Sequence, residues 1–315
     1  GEVTLAGKYY GNCDSLYDAS YQDDFDNSRM DFSRNASLFY AKNAQTGKAL
    51  FIANKVLSYL QNAGEGNSLQ AFYQLNNLAE IELISHNYNQ TIGYSNRALA
   101  LINEKIKEGR TVLDSVKMEV FKPQAILFRA KASYALKEKK DSAFLSNLAE
   151  ELNSALLIVE KRKVLIDDPE SINILIADNN ELISFSKKVQ IELYQLTGNE
   201  AFLNNFINLH ESGIYNRIRS RLDKEKAVQF ANLPLALQEE EQQLKAAIPA
   251  ALKADKENAV LISDYLLAID RWQAHLDKVK AAYPAYYEMR YGTIFKTLPQ
   301  LQSSIPEATT LVRYF

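Results

Sequence analysis

The single cysteine and the three histidines are the side chains in this sequence that could form a nucleophilic site. A cysteine thiol becomes a nucleophile when a neighbouring base or positive charge holds it as a thiolate. His86, His210 and His275 lie far from Cys13 in the chain and are dispersed over different predicted hairpins, with His86 in a turn between two helices. We therefore expect no catalytic residues, and no enzyme activity, in this stretch of chain.

Metal and nucleotide sites have no better support in the spacing of residues. No two histidines lie four apart, as zinc-binding helices require, and the sequence has no glycine-rich phosphate loop. Asp23, Asp24 and Asp26 lack the glycine and the distant glutamate of a calcium-binding loop. We interpret these three aspartates as the acidic start of a helix, and we expect neither a metal nor a cofactor.

Composition describes a folded protein without an obvious charged partner. The chain has 315 residues, 47% of them hydrophobic, and a formal net charge of −3. That charge gives no reason to expect nucleic acid, and no stretch approaches the roughly 18 to 20 apolar residues of a membrane helix. Because Gly1 is not an initiator residue, the compartment stays open, with the cytoplasm favoured over export.

Helix is the element that must position any site. Only seven prolines and eleven glycines occur, and apolar residues recur at helical spacing in segments separated by short polar breaks. Residues 75–102 follow the tetratricopeptide (TPR) order of large, small, turn aromatic and small positions. The residues that carry this order are Leu78, Ala79, Tyr88, Thr91, Ala98 and Leu99.

The small residue that opens the second helix of each hairpin gives a repeat alignment. Ala49, Thr91, Ala143 and Ala201 occupy this position, at steps of 42, 52 and 58 residues. All three steps exceed the TPR period of about 34. We therefore predict an all-α fold, with a TPR-like α-solenoid of degenerate, elongated hairpins over residues 28–230, preceded by an irregular polar segment over 1–27.

The character of the sequence changes after Pro234. Ile262, Ile269, Leu276 and Tyr283 lie seven apart, which predicts a heptad seam. We expect a long antiparallel helical hairpin over 235–283, within a hairpin and connector region spanning 231–297, and Pro249 should kink or end its first arm. The tail that follows, with Thr309, Thr310 and Val312, is strand-like in composition.

The order of these features resembles the region upstream of the CHAT domain in bacterial TPR-CHAT proteins. CHAT domains are caspase-like cysteine peptidase domains related to separases. The resemblance is carried by residues 194–218, 230–248, 283–291 and 298–315. It implies that 298–315 opens the first strand of a CHAT domain, whose catalytic His and Cys would lie after Phe315. Ile214 departs from the family, which usually has a lysine shortly after the position of Glu211.

This resemblance implies a regulatory, non-catalytic module that binds a protein or peptide partner and contacts its own CHAT peptidase domain. The alternative is a free-standing TPR adaptor that binds a peptide in its concave groove. The first helices of the hairpins should line that groove with Arg34, Tyr73, Asn76, Glu80, Phe128, Ala132, Ser186 and Gln190. The motif YPAYYEMRY should form the seat for the peptidase domain through Tyr283, Tyr286, Tyr287 and Tyr291.

Overall fold

The computed structural model describes residues 2–21, 24–103, 111–166, 169–211, 233–253, 260–291, 298–303, 305–310 and 312. Every regular element within these ranges is a helix, which confirms the predicted all-α class. None of the described helices carries a stretch long and apolar enough to cross a membrane. The chain divides into two compact units, 1–140 and 141–315, and this boundary lies inside the predicted repeat region, 28–230.

The first unit is a series of antiparallel helices. Helix α2 packs on α3, α3 on α4, α4 on α5 and α5 on α6, while α4 also packs on both α2 and α6. The helices are α1 (Glu2–Tyr21), α2 (Asn27–Lys42), α3 (Thr46–Asn62), α4 (Leu69–Ile84), α5 (Tyr88–Asn103) and α6 (Val112–Leu136).

Equivalent turns close the hairpins α2/α3 and α4/α5. Ala44 and His86 both adopt left-handed backbone angles, with φ of 58° and 61°. In the first turn the Gln45 N–H donates to the carbonyl of Tyr40 over 2.9 Å, and the residues 42 positions later, Asn87 and Glu82, repeat this bond at 2.8 Å. The predicted step from Ala49 to Thr91 has the same length, and both of these side chains are fully buried.

The later steps of the alignment are wrong. Ala143 and Ala201 are exposed, so neither marks a close crossing of two helices. The reason is their position in their helices. Ala49 and Thr91 are the fourth residues of helices that begin at Thr46 and Tyr88, whereas Ala143 is the second residue of the helix that begins at Ser142 and therefore lies on a different face.

The predicted irregular segment over 1–27 is wrong as well, because Glu2–Tyr21 forms helix α1. Its apolar residues lie on both faces, so the helical period was hidden. Tyr10 packs on Phe39 with ring centroids 4.9 Å apart, and Tyr17 packs on Phe32 at 5.1 Å. Tertiary contacts with α2 therefore stabilise a helix that periodicity alone does not reveal.

The predicted acidic helix start is present at α2. The side chain of Asp26 accepts the Arg29 N–H over 2.7 Å and so caps the helix. Asp24 accepts the Phe25 N–H and the Tyr59 hydroxyl, and Asp23 lies outside the described residues.

The second unit contains a predicted helical pair. Helix α11 packs on α12, and α12 on α13. Glu240, near the start of α11, lies 3.0 Å from Lys278, near the end of α12, so the pair is antiparallel as expected. The helix α11 continues past Pro249 to Lys253. The elements are α7 (Ser142–Val164), α8 (Pro169–Asp178), α9 (Asn180–Thr197), α10 (200–211), α11 (Leu235–Lys253), α12 (Val260–Ala282), α13 (Pro284–Arg290) and α14 (Leu298–Ser303).

The C-terminal tail stays a prediction. Residues 305–310 and Val312 form neither helix nor strand, and the rest of 304–315 lies outside the described residues. A strand needs a neighbouring strand for its backbone hydrogen bonds, so a strand composition alone cannot produce one. The departure from the family pattern at Ile214, shortly after Glu211, also stays a prediction, because 212–232 lies outside the described residues.

Candidate protein-interaction surface

The candidate surface is the side of the first unit where α2, α4 and α6 pack next to one another. Polar contacts fix the register of α2 against α4: Gln70 donates to Asn27 over 2.6 Å, and Asn77 donates to Ser37 over 2.9 Å. Asn77 follows Gln70 along α4, and Ser37 likewise follows Asn27 along α2. The two helices therefore run parallel, as the first helices of successive hairpins must.

Three side chains form a continuous row across these helices. The guanidinium carbon of Arg34 on α2 lies 5.5 Å from the ring centroid of Tyr73 on α4. The Tyr73 ring meets Phe121 of α6 edge to face, with centroids 5.2 Å apart. We call Arg34, Tyr73 and Phe121 the recognition row. Phe121 is 42% exposed and the Arg34 side chain is 13% exposed, so the surface that the row offers to a partner is mainly the apolar ring of Phe121.

Carboxylates flank the recognition row. Asp31 forms an ion pair with Arg34, and its side chain is 67% exposed. Burial raises the pKa of the Tyr73 phenol; Arg34 opposes that shift, and the charges of Asp114 and Asp31 add to it. The phenol therefore stays protonated at neutral pH and remains a hydrogen-bond donor.

Asn76 and Glu80 lie along the same face of α4 as Tyr73. Glu80 lies 3.8 Å from Lys42 of α2, which extends the contact between the two helices. Asn76 is only 4% exposed, and neither polar atom of its amide has a hydrogen-bond partner among the described residues. Of the four groove residues predicted on these two helices, Arg34, Tyr73 and Glu80 are partly exposed, whereas Asn76 is buried.

The third-repeat assignment is wrong. Phe128 is 3% exposed and Ala132 is fully buried, so both pack inside the protein. Phe121, seven residues before Phe128, is the side chain that contacts Tyr73. Sequence reasoning missed Phe121 because it counted backwards from Ala143, which is not at a helix crossing.

Ser186 and Gln190 belong to helix α9 in the second unit and are buried there. The Ser186 hydroxyl donates to the carbonyl of Leu182 over 2.8 Å, a bond within its own helix. The Asn205 amide donates to the Gln190 side chain over 3.4 Å. These contacts give both side chains roles inside their own unit.

The tyrosines expected to seat a peptidase domain pack largely against their own hairpin. The Tyr286 hydroxyl donates to the buried carboxylate of Glu241 over 2.9 Å, and Arg290 donates to the same carboxylate over 3.0 Å. Tyr291 is buried in a cluster with Trp272, and Tyr287 is partly buried against it. Tyr283 is half-buried at the start of α13.

Glu241 is the electrostatic centre of this cluster. Burial opposes its ionisation, but the charge of Lys245, together with Arg290 and the Tyr291 and Tyr286 hydroxyls, outweighs burial and lowers the pKa of Glu241. The Lys245 ammonium lies 5.1 Å from the Trp272 ring centroid and 5.0 Å from that of Tyr291. One buried carboxylate thus joins α11 to α13.

The cysteine and two of the histidines considered above for a nucleophilic site lie in separate places in the fold. Cys13 lies half-buried on α1. His86 occupies the left-handed position of a hairpin turn, with Nδ1 3.0 Å from the Tyr88 hydroxyl. His275 is buried on α12, stacked on Trp272. Within the described part of the chain, no group of three or more His, Cys, Asp or Glu residues could hold a metal ion.

Comparisons with family models, curated proteins and solved structures found no match to this chain.

Proposed function

We propose that this chain is a protein–protein interaction module, a TPR-like α-solenoid that binds a polypeptide partner through the recognition row. The observation that carries the proposal is the contact of Arg34, Tyr73 and Phe121 across three helices. Aromatic and arginine side chains are enriched where proteins bind one another. A row already assembled in the free chain lowers the entropy lost on binding.

The packing order of the first unit supports the solenoid. In a helical repeat array each hairpin contacts its neighbours, and the first helices of successive hairpins line one wall. Helix α4 packs on its hairpin partner α5 and also on α2 and α6, the helices that begin the adjacent units of the series. The matching turns at Ala44 and His86 support a common repeat unit.

The resemblance to TPR-CHAT proteins supplies the regulatory part of the proposal. Under it, partner binding to the solenoid controls a caspase-like CHAT domain encoded after Phe315. Reading the gene beyond that codon tests this part directly: we expect an α/β segment with a histidine and a later cysteine. A stop codon there would contradict the attached peptidase and would favour the free-standing adaptor.

The interaction itself is tested with peptides displayed on phage, selected on the purified chain. Amide hydrogen exchange then maps the bound region, and we expect added protection in α2, α4 and α6. Peptides selected on the wild-type chain are then compared for binding to wild type and to Tyr73→Ala. Failure to select any peptide, or protection elsewhere only, would contradict the proposal.

A further inference from the structure

Helix α1 leaves a line of apolar side chains exposed to solvent. Leu5, Tyr9 and Leu16 are 52%, 61% and 66% exposed. Together with Asn12 and Ala19, which are exposed as well, they follow one another at steps of four, three, four and three residues. At 3.6 residues per turn this spacing places all five on one face of the helix. We call these five residues the outer stripe.

The contacts of α1 with α2 use another face of the helix. Tyr10 packs on Phe39 and Tyr17 packs on Phe32, and the backbone of Gly7 also lies close to the Phe39 ring. The outer stripe lies on the side of α1 that these contacts leave exposed. Folding of the first unit therefore does not explain why this side is apolar.

The next two hairpins show that a helix at this place in the repeat does not need an apolar outer face. Counting forward from the outer stripe by 42 and by 84 residues reaches positions of α3 and α5 that are all exposed. In α3 one of them carries a large apolar side chain, Phe51, and in α5 none does. The residues are Gly47, Phe51, Asn54, Ser58 and Gln61 in α3, and Asn89, Gly93, Asn96, Ala100 and Asn103 in α5. The apolar stripe is therefore particular to α1.

Alternating steps of four and three residues are typical of a helix that pairs with a second helix along its length. Such steps define positions a and d of a coiled coil, which form the seam between the two helices. Tyr9 and Leu16 then occupy a, and Leu5, Asn12 and Ala19 occupy d. A single polar side chain in such a seam favours one register at a cost in stability, which is the role that Asn12 would have.

The outer stripe is complementary to itself in the antiparallel direction. When two copies of α1 pair in this way, Leu5 packs against Leu16 of the second copy, and Leu16 against its Leu5. The same contact thus occurs twice, as two-fold symmetry requires. Tyr9 lies opposite Asn12 in the two central layers, where the phenol can donate to the amide carbonyl.

Charge favours the antiparallel direction over the parallel one. Equivalent positions of the seam meet in a parallel pair, which would set the Glu2 carboxylates of the two copies against each other, and like charges in contact oppose association. In the antiparallel pair Glu2 lies opposite Ala19, and Lys8, which borders the stripe, lies opposite Ser15. No like charges meet in this arrangement.

The length of α1 limits the strength of such a pair. Its 20 residues span about 30 Å. Contact along the whole helix buries on the order of 1,000 Å² in total, below the roughly 1,600 Å² of a standard interface. An interface of this size is typical of a weak, reversible association.

We propose that the outer stripe binds a second copy of this chain, and that two chains form a weak two-fold dimer through antiparallel α1 helices. The inference goes beyond the proposed function and does not depend on the recognition row. Sedimentation of the full chain from about 1 to 300 μM should show a dimer with a dissociation constant of about 10 to 100 μM.

Leu16→Lys tests the stripe without disturbing the fold, because this exposed position accepts a good helix-forming residue. We expect the dissociation constant to rise about tenfold or more. Ala100→Lys is the matched control, since it lies at the equivalent outer position of α5, and it should leave the dimer unchanged. A wild-type chain that stays monomeric, or a Leu16→Lys chain that dimerises as well as wild type, would overturn the proposal. A fall of the Leu16→Lys melting temperature by more than about 5 °C at monomeric concentration would also overturn it, because another segment of the same chain would then cover the stripe.

Mixing two variants tests the direction of the pair. Leu5→Glu and Leu16→Lys should each dimerise poorly alone. In an antiparallel heterodimer the introduced carboxylate faces the introduced ammonium, while the other end keeps its leucine contact, so an equimolar mixture should associate at least about threefold more tightly than either variant. A mixture that associates no more tightly than the separate variants would overturn the antiparallel arrangement.

Discussion

The guanidinium carbon of Arg34 lies 5.5 Å from the centroid of the Tyr73 ring, so a cation on α2 stacks on an aromatic side chain of α4. Asp31, one helical turn earlier on α2, forms an ion pair with the same guanidinium. The orientation of Tyr73 is thus fixed from two sides, by Arg34 and by Phe121. Groups held in this way lose little side-chain entropy when a partner binds.

Two substitutions of Tyr73 distinguish the contribution of its ring to binding from the contribution of its hydroxyl. Tyr73→Phe keeps the contacts with Arg34 and Phe121, so we expect selected peptides to bind within about threefold of wild type, which is less than about 1 kcal/mol. Tyr73→Ala removes the ring, and affinity should fall about tenfold or more. Isothermal titration with one peptide on all three chains makes the comparison. Equal affinities for Ala and wild type would exclude the ring from recognition.

The repeat register predicts which alanine tolerates a larger side chain. Ala49 is fully buried and Ala143 is exposed. Ala49→Leu should therefore lower the free energy of unfolding by about 1–3 kcal/mol through overpacking, whereas Ala143→Leu should change it by less than about 0.5 kcal/mol. Urea denaturation measures both. Similar losses at the two positions would restore the original alignment through Ala143.

Loss of the Glu241 charge should loosen the second unit. Glu241→Gln leaves Lys245 and Arg290 without their shared buried carboxylate, and removing one member of a buried ion pair lowers the free energy of unfolding by about 3–5 kcal/mol. Lys278→Gln is the control, because its pair with Glu240 is exposed and contributes less than about 1 kcal/mol. Denaturation followed by Trp272 fluorescence reports on this cluster. If both variants lost the same free energy of unfolding, Glu241 would not be the electrostatic centre of the cluster.

Acid should reduce the difference between wild type and Glu241→Gln. The pKa of Glu241 is lowered in the folded chain, so its contribution to stability is complete above the unfolded value of about 4.3 and is lost as pH falls through the folded value. We expect the two free energies of unfolding to converge between about pH 4.3 and lower pH. A difference that stays constant or grows in acid would show that the carboxylate is not stabilised by Lys245 and Arg290.

Helix α1 should detach when its buried anchor is removed. Arg29 is buried, forms an ion pair with Asp18 of α1, and donates to the carbonyl of Asp24 over 2.7 Å. Arg29→Met should lower stability by about 1.5–3 kcal/mol, the contribution of hydrogen bonds to a charged group. Hydrogen exchange should quicken across 2–21 while α4 and α5 stay protected. Unchanged protection of α1 would mean that the tyrosine contacts with α2 suffice.

The sequence predicted the helical class and the first repeat step because both depend on local patterns. Apolar spacing marks each helix, and Ala49 and Thr91 are small residues at equivalent helix positions that are both fully buried. Helix α1 was missed because exposed Leu5 and Leu16 lie on a different face from the packed Tyr10 and Tyr17, so apolar residues mark no single face.

Long-range packing explains the remaining differences at the candidate surface. The positions of Arg34, Tyr73, Asn76 and Glu80 follow from the same count within two well-marked hairpins, α2/α3 and α4/α5. Phe121 depends on the length of α6, which no local pattern limits. The pairing of Tyr286 with Glu241 joins residues 45 positions apart, and sequence spacing carries no record of such a contact.

The most direct test of the interaction surface is the affinity of one selected peptide for wild type and for the triple variant Arg34→Ala, Tyr73→Ala, Asn76→Ala. Circular dichroism must first show that the variant keeps its helical content. We expect a loss of about 100-fold or more, since several contacts at the centre of one surface are removed together. An unchanged dissociation constant for the folded triple variant would contradict recognition by this surface.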